Sequence, residues 1–237
     1  SDTIKYVVIH YTALNSTYES IRYLCAKQNK VSSHYLISNS GKIYTLVSEK
    51  KRAWHAGQSY WNGEKDINST SIGIELDYSP IGKNNIFTNS LKYSLIYLLK
   101  KITKKYKILP EDILGHSDIA PYRKIDPGKD FPWGLLEKNK IVKKIIVKKN
   151  SKLIKKLLNK WFYKNNFNTK KKKILLMLNY IGYDTSLAIE KNSYFNQLLI
   201  AYSLRHKFFK LHSYNKTDFI NVIESHFINI ILTKLKK

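Results

Sequence analysis

Two histidines in this chain stand where strands run out, and with one aspartate from a nearby loop they could hold a metal. His10 falls near the end of a β-branched and aromatic run, Lys5-Tyr-Val-Val-Ile-His-Tyr-Thr12, and His116 closes Ile113-Leu-Gly-His116. A side chain at a strand's end can project into the cleft at the sheet's edge. Asp126 follows His116 in a loop braced by Pro121, Pro127 and Gly128. Two imidazoles and a carboxylate supply three ligands and leave the fourth position of a zinc site open for water, the donor set expected of a hydrolytic centre. The chain has a single cysteine, Cys25, so neither an internal disulfide nor a Cys-based cluster is available. Spacing alone leaves a structural role open for each of the 7 histidines.

Two further side chains could serve such a centre. Glu75 interrupts the apolar strand pattern Ile72-Gly-Ile-Glu-Leu76. It is either a solvent-facing strand residue or a general base whose basicity burial raises, so that it takes a proton from water at the metal. Lys124, separated from Asp126 by Ile125 alone, is either one more surface lysine among many or an ammonium beside the metal that stabilises an oxyanion.

The elements that must position these residues are strands alternating with helices. After the first strand, Thr17–Lys27 has a Ser/Thr start and helical spacing. Ser33–Ser38 and Lys42–Val47 flank Asn39-Ser40-Gly41, a hairpin signal, because Asn and Gly tolerate the positive φ of a tight turn. Ser71–Leu76 reads as a strand with Ile72, Ile74 and Leu76 on one face and Glu75 on the other, and Asn89–Lys107 as an amphipathic helix. The expected class is therefore α/β, a central mixed β-sheet flanked by helices, over residues 1–140. Beyond Leu136 lysine-studded helical periodicity takes over at Ser151–Lys164, Thr169–Tyr180, Tyr194–Phe209 and Thr217–Leu235, predicting a small all-α domain over residues 151–237.

Of the 237 residues, 43% are hydrophobic and 13% aromatic, enough for a real core and for one large and one small domain. No apolar run reaches the roughly 18 residues of a membrane span, and the first residues lack a signal-peptide pattern, so the chain as given is expected to be soluble. The formal net charge of +25 is skewed: residues 141–237 hold 21 Lys/Arg against 4 Asp/Glu. Arg occurs only at positions 22, 52, 123 and 205, whereas bidentate phosphate and base recognition favours Arg. The lysines accompany abundant Asn, Ile and Tyr, whose codons are A/T-rich, so much of the excess is attributed to base composition, and no nucleic acid is expected as partner.

Val8-Ile-His-Tyr-Thr-Ala13, Ser33-His-Tyr-Leu-Ile37, Arg52-Ala-Trp-His-Ala-Gly57, Asn68 ahead of Ser71-Ile-Gly-Ile-Glu-Leu76, and Gly115-His-Ser-Asp-Ile-Ala-Pro-Tyr-Arg-Lys-Ile-Asp-Pro-Gly128 occur in that order. Together they resemble the zinc-dependent N-acetylmuramoyl-L-alanine amidases of the type-2 (AmpD/AmiD) family, most closely its AmiD branch, over about residues 4–136. This implies that His10, His116 and Asp126 bind one zinc ion, that Glu75 is the catalytic acid/base, and that Lys124 supports the transition state. It also implies hydrolysis of the amide joining muramic acid, or its anhydro form, to L-alanine of the stem peptide. Arg123, Trp54, His55 and Asn68 are assigned to substrate binding, Arg123 as the partner of a peptide carboxylate and Trp54 with His55 as cleft wall. His34 is read as a structural hydrogen-bonder or one that supports a ligand. His206, His212 and His226 are read as structural.

Ile174-Leu-Leu-Met-Leu-Asn-Tyr-Ile-Gly-Tyr-Asp184 and Leu199-Ile-Ala-Tyr-Ser-Leu-Arg-His206 look like the three-helix peptidoglycan-binding module of AmiD-type enzymes. Tyr202-Ser203 stands where that module usually has Phe-Gln, so its fold is better supported than its sugar binding. The implied partners are peptidoglycan or muropeptides, for a monomer with no transmembrane segment. The implied location is the envelope of a Gram-negative bacterium, periplasmic or outer-membrane-associated through a lipid anchor, with a cytoplasmic AmpD-like location as alternative. A non-catalytic recognition module is the runner-up, set apart because loss of a zinc ligand separates such binders from hydrolases and all three positions are present here. Nucleic-acid binding through the basic C-terminal part is the third reading.

Overall fold

The computed structural model describes residues 4–145, 152–206 and 216–234. Strands β1 (Tyr6–Tyr11), β2 (Tyr35–Ile37), β3 (Ile43–Thr45), β4 (Ser71–Leu76) and β5 (Ile113–Gly115) form one sheet in the order β3-β2-β4-β1-β5. β1, β2, β4 and β5 run parallel, and the β2–β3 hairpin supplies the single antiparallel edge. That hairpin turns through Gly41 at φ +86°, as the Asn-Ser-Gly signal predicts. In the register His10 lies directly opposite Glu75, and Ile9 is opposite both Ile74 and Gly115. Helices α1 (Thr17–Cys25), α2 (Ile67–Thr70) and α3 (Asn89–Tyr106) occupy the connections between the strands.

Alternation along each strand sends side chains to two layers. Val7, Ile9, Ile72, Ile74 and Leu76 pack with Leu91, Leu95, Leu98, Leu99 and Ile102 of α3, all of them almost fully buried. That helix starts where the Thr88 hydroxyl accepts from the Leu91 amide and ends on Lys107 in a left-handed conformation. The opposite layer holds Tyr6, Val8 and Leu114 in one apolar cluster with Leu175, Leu178, Tyr183, Leu198 and Tyr202.

Two short helices, α4 (His116–Ile119) and α5 (Trp133–Lys138), precede the C-terminal helices α6 (Lys152–Lys164), α7 (Lys170–Ile181), α8 (Ser186–Glu190), α9 (Asn192–His206) and α10 (Lys216–Lys234). The C-terminal helices share a core with the sheet. Their composition differs from that of the chain ahead of them, yet their apolar faces serve as the second layer of the same sandwich. The short helices α2, α5 and α8 escape the periodicity reading, as does α4, which begins at a residue expected to end a strand. α4 turns because the Asp118 carboxylate accepts from the Gly115 amide at 2.7 Å, a side-chain cap that pulls the chain out of the extended conformation. The expected helix ends at Ser151, Phe209 and Leu235, and His212, fall outside the described residues. No described helix is long and apolar enough to cross a membrane.

Candidate metal centre and its cleft

Parallel strands bring their C-terminal ends to one edge, where functional groups of α/β sheets gather. Here that edge carries His10 from β1, Glu75 from β4 and His116 just past β5. The Asp126 loop folds back onto it: the Ser117 amide donates to Asp126 O at 2.8 Å and the Gly128 amide to Ile125 O at 2.9 Å. His10 Nδ1, His116 Nδ1 and Asp126 Oδ2 form a small triangle with edges of 3.0 Å between the imidazoles, 3.2 Å from His10 to Asp126 and 3.0 Å from His116 to Asp126. Among the described residues this is the group of His, Cys, Asp or Glu side chains able to share a metal ion.

The donor chemistry fits zinc. Tetrahedral N/O ligands at about 2.0–2.1 Å from zinc stand about 3.3 Å apart, close to the edges of this triangle. Burial, reinforced by the neighbouring His116, lowers the His10 pKa to about 4, so its ring is neutral and free to ligate. Burial pushes the Asp126 carboxyl upward, but His116 and His10 together hold it below the usual carboxylate range, leaving an anion.

The outer nitrogens of both imidazoles are occupied. His116 Nε2 lies 3.1 Å from Ala56 O, and His10 Nε2 lies 3.0 Å from His55 Nδ1. His55 in turn reaches the Ser71 hydroxyl through Nε2 at 3.2 Å, and burial together with His10 keeps its pKa well below the ordinary value. Such second partners fix the tautomer and aim of a ligating histidine. His55 can lie against the sheet only because β4 has a glycine beneath it: a Cβ at Gly73 would come within 2.5 Å of the ring. His34 completes the row, accepting from the Gly73 amide through Nδ1 at 3.0 Å and lying 3.0 Å from Lys51 O through Nε2.

A cleft of about 390 Å³ opens over the triangle, lined by His10, Trp54, His55, Glu75, Lys124 and Asp126 among others. Glu75 Oε2 is buried with no hydrogen-bond partner. An orphaned carboxylate oxygen there is costly unless it meets a proton or a ligand. Burial, with the Asp126 charge adding to it and Lys124 opposing, raises the Glu75 pKa to about 8. Its basicity therefore lies above that of an ordinary carboxylate, the direction an acid/base requires.

The four residues assigned to substrate binding take different places. Trp54 stands on the cleft rim, 57% exposed, with the Arg52 guanidinium 4.6 Å over its ring. His55 lines the cleft but is engaged with His10, a link sequence reasoning missed and for which the glycine at 73 is the signal. Arg123 also lines the cleft, yet its Nε and Nη2 donate to Gln58 O at 3.0 and 2.6 Å and Nη2 also reaches Ala56 O, so that edge braces the loop. Asn68, also expected to contact substrate, is not among the residues that line the cleft. It is buried behind the wall, its Oδ1 accepting from the His55 and Ala56 amides at 2.9 and 2.8 Å, and it acts by holding those residues in place.

A second group that sequence reasoning passed over ties the centre to the C-terminal helices. The Tyr183 hydroxyl donates to Asp118 Oδ1 at 2.6 Å, in the turn that carries His116, and Arg205 stacks 3.7 Å over the Trp133 ring. His206 and His226 sit nearby with ring centres 5.3 Å apart, His226 Nδ1 lying 3.2 Å from the Tyr202 hydroxyl, and neither belongs to the triangle.

Comparison with known proteins matches the geometry. The model of the family described as N-acetylmuramoyl-L-alanine amidase fits residues 1–129. The N-acetylmuramoyl-L-alanine amidase AmiD of Escherichia coli is 43% identical over 143 residues, covering 55% of this chain and 51% of that protein. The 1,6-anhydro-N-acetylmuramyl-L-alanine amidase AmpD of Haemophilus influenzae is 45% identical over 107 residues, 45% of this chain and 56% of that one. The chain thus spans about half the length of these curated relatives. Among solved structures, the complex of AmiD from E. coli with the substrate anhydro-N-acetylmuramic acid-L-Ala-D-gamma-Glu-L-Lys superposes with a TM-score of 0.77 at 30% identity, covering 95% of this chain and 89% of that one.

Proposed function

Since the chain belongs to the N-acetylmuramoyl-L-alanine amidase family, we propose that it is a zinc amidase cleaving the bond between N-acetylmuramic acid, or its anhydro form, and L-alanine of the peptidoglycan stem peptide. The observation that carries the reading is the His10–His116–Asp126 triangle opening into a cleft that also holds a partnerless Glu75 oxygen. A zinc ion bound by His10, His116 and Asp126 would polarise the scissile carbonyl and acidify water. His55 and Ala56 O keep the two imidazoles aimed so that the ligand set is preformed.

Glu75 accepts the proton of the attacking water and returns it to the departing amine of L-alanine, its buried Oε2 having no other partner to compete for the proton. The Lys124 ammonium, on the loop that carries Asp126, stabilises the negative charge that develops on the carbonyl oxygen. Trp54 offers an exposed ring at the rim on which a sugar or peptide face can rest. Arg123 supports the wall and, with Lys124, makes the rim positive toward an acidic stem peptide. We assign it peptidoglycan fragments as ligands and a location at the bacterial cell envelope, with an AmpD-like cytoplasmic location as the alternative.

The test is hydrolysis of purified anhydro-muramyl tripeptide. The expected result is release of free tripeptide by zinc-loaded protein, loss on chelation and recovery with added zinc. Unimpaired hydrolysis by metal-free protein, or binding of the muropeptide without cleavage, would replace the zinc hydrolase with another enzyme or with a recognition module.

A further inference from the structure

Most apolar side chains of the C-terminal helices turn into the shared core, but α6 does not follow that rule. At 3.6 residues per turn, its sequence Lys-Leu-Ile-Lys-Lys-Leu-Leu-Asn-Lys-Trp-Phe-Tyr-Lys divides into three arcs. The inner arc holds Phe162, 1% exposed, with Leu158 against the core. The outer arc holds Leu153, Leu157, Trp161 and Ile154, which are 65, 58, 48 and 40% exposed. Lys156 and Lys160 run along one side of it and Lys164 closes it at the C-terminal end, all exposed and one turn apart. The helix contains no acidic residue. A surface helix whose sole purpose is to cover a core has no use for three branched aliphatics and an indole on its exposed side.

We propose that α6 docks the protein on an anionic phospholipid bilayer, the Leu153–Ile154–Leu157–Trp161 face entering the boundary between headgroups and acyl chains while Lys156, Lys160 and Lys164 meet lipid phosphates. The proposal goes beyond the amidase reading and does not depend on it. Lysine beside leucine and tryptophan on one helix is the pattern of interfacial helices that lie in the membrane plane. Indole favours the headgroup level, and each basic residue near an anionic surface adds to attraction.

Charge and chemistry select this occupant over others. A hydrated glycan or a nucleic acid could use the lysines and the indole, but gives no return for exposed Leu153 and Leu157, whose gain comes from leaving water. A second copy of the chain would cover the aliphatics but would set two lysine rows against each other. An anionic amphiphile satisfies both halves of the face.

The experiment is co-sedimentation of the full-length zinc-loaded protein with vesicles of phosphatidylcholine containing phosphatidylglycerol, against vesicles of phosphatidylcholine alone. Binding is expected to the anionic vesicles, with a blue shift in tryptophan emission that Trp161→Phe removes. Leu153→Gln with Leu157→Gln should weaken it by about ten-fold or more, as should Lys156→Gln, Lys160→Gln and Lys164→Gln together. All these side chains are exposed and lie outside the cleft, so hydrolysis of soluble muropeptide should be unchanged in each variant. Absence of vesicle binding overturns the proposal. So does binding that the leucine pair does not affect, which would mean adsorption by charge alone. Retention on insoluble peptidoglycan without vesicle binding would assign the face to the wall, and a concentration-dependent dimer abolished by the leucine pair would assign it to self-association.

Discussion

The two faces of the sheet are built from the same strands and do opposite work. On the α3 side Val7, Ile9, Ile72, Ile74 and Leu76 meet apolar neighbours supplied from within residues 4–142. On the other side Val8 and Leu114 meet helices from residues 152–234, and at the strand ends the same face passes into His10, Glu75 and His55. One face is sealed and holds its place by shape and burial. The other buries polar groups, each of which needs a partner, and so gains chemistry at the expense of tolerance. A period of two lets a single strand, β1, serve both: Ile9 is wholly core and its neighbour His10 is wholly site.

The sharpest way to break that contrast is at the metal triangle. Asp126→Ala should abolish stoichiometric zinc binding and lower hydrolysis on the order of a thousand-fold or more, as expected when several kcal/mol of charge stabilisation are lost. Metal analysis beside a muropeptide assay checks it, and a variant that keeps both zinc and activity would remove Asp126 from the ligand set.

Glu75→Gln should reduce turnover on the order of a hundred-fold or more with zinc still bound. It also carries a pH signature in the metal-free protein. A carboxyl raised from 4.5 to about 8 by burial keeps a proton in the folded state that the unfolded chain has released. Between those values the folded protein binds more protons, so stability falls as pH rises; below about 4.5 both states are protonated and the penalty vanishes. Metal-free Glu75→Gln should therefore unfold at higher denaturant than wild type at pH 8 by about 2–4 kcal/mol, and the gap should close toward pH 4.5. Parallel stability curves across that range would place Glu75 in solvent.

On the sealed face, Leu95→Ala should cost about 2–5 kcal/mol of stability, read by chemical denaturation, and leave kcat on muropeptide near wild type because no polar partner moves. Tyr183→Phe, on the other face, should cost about 1–3 kcal/mol because Asp118 loses the hydroxyl that donates to it. His116 should stay aimed, its outer nitrogen still held by Ala56 O, so zinc stoichiometry is expected to persist. Equal and purely structural behaviour of Asp126→Ala and Leu95→Ala would erase the distinction between the faces.

Where a pattern is local, sequence reading reached it. The hairpin at Asn39–Gly41, the Glu75 face of β4 and α3 follow from turn chemistry and periodicity over neighbouring residues. Short elements were illegible because one turn offers too few positions to show a period: α4 is held by the Asp118 cap, and α5 and α8 by burial of Trp133, Leu136 and Ala188. His116 begins a helix instead of ending a strand because Asp118, in the same turn, captures the Gly115 amide.

The candidate ligand types, the acid/base candidate and the lysine beside it could be named from the residues and their order, because a donor's chemistry belongs to its side chain wherever it sits. Which nitrogen faces the metal position, and which residue holds the ring from behind, belonged to the fold. His55 meets His10 across a long stretch of chain and only over the bare backbone of Gly73, and Asn68 anchors the His55 amide from behind the wall. The union of the two regions into one core was likewise a tertiary decision, since a helix's apolar stripe declares that it must be covered without saying by what, and the uncovered half of the sheet answered that need.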